Sequence, residues 1–91
     1  DLELKMKIIE SYIKDIEETV NTETIKLSID SILSIIKKIN TEINEINFEI
    51  NMHKTKWFHN IRNPNIKDKV DNLIKHSQLF DKRIDFLLKL I

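Results

Sequence analysis

The side chains of this 91-residue chain that could do chemistry are three histidines, fifteen carboxylates and a knot of cations around two aromatic rings. Imidazoles hold a divalent metal when several converge, for instance one helical turn apart. His53 and His59 are six residues apart, about 600° around a helix, so they point to different faces. No His-x-x-x-His pair occurs, and neither a metal nor another cofactor is expected. Acid–base catalysis needs two carboxyls held in a cleft with separated proton affinities. Glu3, Glu10, Glu17, Glu18, Glu42, Glu45 and Glu49 instead fall on solvent faces. Several stand one turn from a lysine, as in Glu3–Lys7 and Glu10–Lys14. The chain also lacks glycine and cysteine. Phosphate-cradling loops and the nucleophile elbow need a residue without Cβ, and thiol catalysis, disulfides and Cys-zinc sites need sulfur. The expectation is a protein that is not an enzyme.

The cations are the more suggestive group. Lys54, Lys56, Arg62, Lys67 and Lys69, with His53 and His59, surround Trp57 and Phe58, and no acidic residue occurs from Ile50 to Lys67. Aromatics among cations suit stacked bases or an anionic bilayer surface. Lys54, Lys56, Phe58, Arg62, Lys67 and Lys69 therefore define a basic tip able to meet nucleic acid, anionic lipid or an acidic protein patch. Globally the charges cancel, fifteen against fifteen. The cancellation has structure, since residues 1–49 sum to −5 and residues 50–91 to +5. No apolar run reaches the ~20 residues of a membrane span. An excess of Ile, Lys and Asn with no Ala or Gly matches an AT-rich coding sequence.

These groups must be carried by helices. Leu2, Met6, Ile9, Ile13, Ile16 and Val20 recur at alternating steps of four and three. Ile25, Ile29, Ile32, Ile36, Ile39, Ile43, Ile46, Ile50, His53 and Trp57 do the same, as do Ile66, Val70, Leu73, Ser77, Phe80, Ile84, Leu87 and Ile91. That alternation averages 3.5 residues, the repeat of helices packed by heptads. His53 and Ser77, polar entries in apolar stripes, read as a layer that fixes register. The first stripe, continued past Val20, falls on Glu23 and Leu27 rather than Ile25 and Ile29, so the phase slips by two. Asn21-Thr22-Glu23-Thr24 supplies caps for a tight turn there. Asn60-Ile61-Arg62-Asn63-Pro64-Asn65 makes the second break, with Asn63 or Asn65 as cap and Asp68 in the first turn of the next helix.

The fold expected is all-α: a single elongated antiparallel three-helix bundle over 1–91 with coiled-coil-like packing, helices about 2–20, 24–59 and 65–91, and a larger parent protein. Short connections make sequential helices antiparallel. A turn at each break sets Ile16 near Ile29, Met6 near Ile39, Ile84 near Ile43 and Ile91 near Ile36. The outer helices then overlap at the centre of the middle one, leaving a two-helix end on each side. Such ends bury little, and isoleucine at both seam positions favours three or more helices around the seam. Leu33 and Ile35 on the second helix, and Phe86, Leu88, Leu90 and Ile91 on the third, spill off the stripes and are the expected partner-binding residues. The function expected is an interaction or spacer module mediating protein–protein association or self-assembly. The competing readings are a cell-surface adhesion or invasion segment that binds a host receptor, and a binder of anionic lipid or nucleic acid through the tip at 53–69.

Overall fold

Asp1 opens the first helix as its cap, its Oδ1 accepting the Glu3 N–H at 2.9 Å. The computed structural model describes residues 1–19, 22–52 and 64–91. They form α1 (Leu2–Thr19), α2 (Glu23–Met52) and α3 (Pro64–Leu90), with no strand among the described residues. Thr22 Oγ1 accepts the Ile25 N–H at 3.4 Å and acidic Glu23 sits in the first turn, a cap plus a favourable dipole charge. Pro64 begins α3, where a missing N–H costs nothing. The helices assemble into an all-α bundle 50 × 18 × 18 Å in extent. Residues 53–59 of the expected second helix, and the Asn63 cap, lie outside the described residues.

The heptad stripes form the core. Met6, Ile13 and Ile16 of α1, Ile25, Ile29, Ile32, Ile36 and Ile39 of α2, and Phe80, Ile84 and Leu87 of α3 are buried in one cluster, with Leu2, Ile9, Ile43 and Leu73 packed against it. Among the described residues, eleven of the fourteen buried apolar ones are isoleucine. Each contributes roughly 1.5–3 kcal/mol on full burial, the term that offsets the modest helix propensity of a β-branched residue.

Register is where the structure departs from expectation. Glu49 faces Lys69 at 3.5 Å, and Glu42 Oε1 accepts from His76 Nδ1 at 2.5 Å. Both pairs are equidistant in sequence from position 59, whereas a turn at Pro64 would centre them near 63. Ile84 is consequently level with Ile32 rather than Ile43, and Phe80 with Ile36. Across α1 and α2, Met6 shares a groove with Ile43, a turn beyond the expected Ile39. The slide lays α3 along nearly all of α2, so one end rather than both is two-helical. There the seam residues Ile50 and Val70 are each 37 % exposed, although Ile66, farther out on α3, is buried.

A second correction concerns Ile35, expected at the surface and found 1 % exposed in the core. It belongs to a row at heptad position g, Ser28, Ile35, Glu42 and Glu49, that borders α3. The opposing g row is Lys69, His76, Arg83 and Leu90. Arg83 Nη1 reaches across Ile35 to donate to Ser31 O at 2.6 Å, and the register sets Ser28 opposite Leu90. Ser28 is 6 % exposed, and its hydroxyl has no hydrogen-bond partner among the described residues. An unmet buried hydroxyl costs about 1–3 kcal/mol, and alanine is the better helix former. Ser28→Ala is therefore expected to raise the melting temperature by about 4–8 °C; a thermal midpoint that stays put or falls would show that the hydroxyl is satisfied.

Candidate functional site

Three lateral rows flank the seams, and they differ in kind. Between α2 and α3 the facing g positions pair acid with base, Glu49 with Lys69 and Glu42 with His76. Both pairs are half-buried, and their matched charges distinguish this register from its neighbours. Between α1 and α3, which run parallel, Lys5 pairs with Asp81 and its Nζ lies 5.8 Å from the centre of the Phe80 ring. One heptad further along each helix the same two flanks carry Tyr12 and Leu88. Between α1 and α2 the facing e positions are Glu3 with Asn47, Glu10 with Asn40 and Glu17 with Leu33. Among the described residues of that row no acid faces a base. The helix backbones approach closely along α2–α3 and much less along α1–α2.

The unzipped row opens into a trough of about 560 Å³. Glu3, Lys7 and Glu10 form one wall, Asn40, Asn44 and Asn47 the other, with Met6 and Ile43 at the floor. Each wall repeats at steps of four and three, so a polar stripe runs beside the apolar seam on both helices. The two acids of the wall lie about 10 Å apart along the axis with Lys7 between them, an arrangement without a matched acid and base. A second, shallower dent of about 360 Å³ lies beside the Glu42–His76 pair, lined also by Ser34, Lys37, Lys38, Thr41 and Glu45. Among the described residues no three His, Cys, Asp or Glu converge as a metal site.

Of the residues singled out from sequence, Phe86 (56 %), Leu88 (51 %), Ile91 (49 %) and Leu33 (39 %) are exposed. Leu90 is half-buried against the core and Ile35 is inside it. Leu33 and Leu88 are not on one outward face: they stand on opposite rims of the groove that α1 occupies. Lys67 is exposed and Lys69 is half-buried against Glu49. Lys54, Lys56, Phe58 and Arg62 of the basic tip lie outside the described residues, as do His53, Trp57 and His59. His76 and Ser77 are half-buried. Sequence reasoning overlooked Arg83 and the Glu42–His76 pair. The signal was present, since Glu42 and Glu49 share heptad position g with Lys69, His76 and Arg83.

No helix among the described residues is long and apolar enough to cross a membrane. The chain matches no protein-family model, no curated protein and no solved structure.

Proposed function

We propose that the chain is a non-enzymatic helical interaction or spacer module whose role is protein–protein association, including association with copies of itself. The observation that carries this reading is the incomplete seam: Ile50 occupies a stripe position that is at most 9 % exposed along α2 from Ile25 to Ile39 and at Ile46, yet it stands 37 % exposed, as does Val70 of the α3 stripe, at the end that α1 does not reach. Phe48 and Met52 beside them are 63 % and 65 % exposed. Apolar surface of this density on a rod 18 Å across favours a covered state. In the described part of the basic tip Lys67 is exposed and Lys69 is paired with Glu49.

Sedimentation equilibrium from about 10 μM to 1 mM is expected to show a mass that rises with concentration, as weak association through a small apolar surface requires. A mass fixed at 10.9 kDa across that range would refute self-assembly.

A further inference from the structure

We infer that two copies of this chain pair antiparallel through the outer face of α2, the side turned away from both other helices. The inference rests on the self-association reading above and adds the surface, the register and the occupant. It takes up Phe48 and Met52; Ile50 and Val70, on the seam side, have no part in it.

The three most exposed large apolar side chains among the described residues, Met52 (65 %), Phe48 (63 %) and Leu27 (60 %), all belong to α2 and share one stripe. From Leu27 to Met52 that stripe advances by steps of four and three through heptad positions f and c, behind the buried seam. Its ends are apolar and its middle is polar, running Ser31, Ser34, Lys38, Thr41 and Glu45. Turned end for end, the stripe is its own complement. Layers centred between Lys38 and Thr41 set Phe48 on Ser31, Glu45 on Ser34 and Lys38 on Thr41, large on small each time. Met52 meets Leu27 at the two ends, and the two-fold axis makes every contact twice. Lys38 of one copy then stands one turn from Glu45 of the other, an opposite-charge pair across the axis. The alternatives are disfavoured by charge. Sliding one copy by a heptad sets Glu42 against Glu42 in one direction and Lys37 against Lys37 in the other. A parallel pair would stack Lys38 on Lys38 and Glu45 on Glu45.

The small polar residues lose little on being covered. Ser31 Oγ donates to Ser28 O at 2.8 Å and Thr41 Oγ1 to Lys37 O at 3.0 Å, so both hydroxyl protons are already bonded within α2. The dent of about 360 Å³ bounded by Ser34 and Glu45 lies at the axis, where the partner's Lys38 stem enters it. At ~1.5 Å per residue the paired stripe is ~38 Å long, most of the 50 Å rod.

The test reverses the two charges on exposed side chains, which leaves the core untouched. In sedimentation equilibrium up to about 1 mM, Lys38→Glu alone and Glu45→Lys alone are each expected to self-associate about tenfold more weakly than the natural chain, and the double variant to recover. The second arm is a ruler along α2. The chain has no cysteine, so Asp30→Cys, Lys37→Cys, Asn44→Cys and Asn51→Cys each carry one spin label per copy. Labels at 37 and 44 are expected closest across the dimer, and those at 30 and 51 about 15–20 Å farther apart. Equal distances at all four sites, a steady rise along α2, or single reversals that associate like the natural chain would each overturn this pairing while leaving self-association standing. A natural chain that is monomeric at every concentration would overturn both.

Discussion

Phe80→Ala is expected to cost about 3–5 kcal/mol, enough to leave a domain of ordinary stability partly or wholly unfolded at 25 °C. Phe80 is 0 % exposed, sits level with Ile36 of α2, and presents its ring to the Lys5 ammonium at 5.8 Å. It belongs to the core cluster that joins residues of all three helices. Truncation removes apolar burial, leaves a cavity that isoleucines cannot swing into, and strips Lys5 of its ring. The built-in control is Phe86, six residues on and 56 % exposed, whose replacement by alanine is expected to cost under about 1 kcal/mol in the monomer. Urea denaturation followed by circular dichroism compares the two. Similar midpoints for both variants would mean that α3 does not present the face described here.

The second large effect is dynamic. Amides of α1 are expected to exchange with solvent through a partial opening that leaves α2 and α3 folded, with protection at least about tenfold below that of α2 between Ile29 and Ile46. Three observations combine. At 18 residues α1 is shorter than α2 and α3, at 30 and 27. Its row against α2 has no opposed charges, and its backbone stands off from α2 along most of its length. Alone in water a helix of that length is marginal, so release from the hairpin and melting should coincide. Native-state hydrogen exchange by NMR reads this residue by residue. Equal protection in all three helices would refute it.

Much of the fold was legible from alternating steps of four and three, because a buried stripe tolerates few polar residues and so prints itself on the sequence. The stripes located α1 and α3 to within a residue or so, and the phase slip after Val20 marked the first turn. Register was not legible by that route. Every heptad in α2 carries isoleucine at both seam positions, so sliding α3 by a heptad or more changes no seam chemistry, and the turn at Pro64 was a poor ruler. The information lay instead in the g rows, where Glu49 and Glu42 find Lys69 and His76 in one register and nothing comparable in the expected one. Ile35 was misplaced for the same reason: an apolar residue next to a stripe is a surface residue in a two-helix seam but a border residue once a third helix packs alongside. The Ser28 hydroxyl could not be foreseen without knowing that Leu90 lies opposite. For the candidate site, Leu33 and Leu88 were found as residues, but that they share the rims of one groove depended on α1, whose weak lateral row shows only when e positions are set face to face.

The isoleucine core has a consequence for disorder rather than for contact. Inside a helix the branched Cβ already confines isoleucine to one χ1 rotamer about nine times in ten, so packing it away freezes little that was free. A core of leucine or methionine would gain similar area but surrender more side-chain freedom on folding. The chain trades that saving against helix propensity, which branching lowers before any neighbour arrives. Its helices are accordingly poor structures alone and well-ordered ones together, a balance that makes the folded rod depend on the assembly of its three segments.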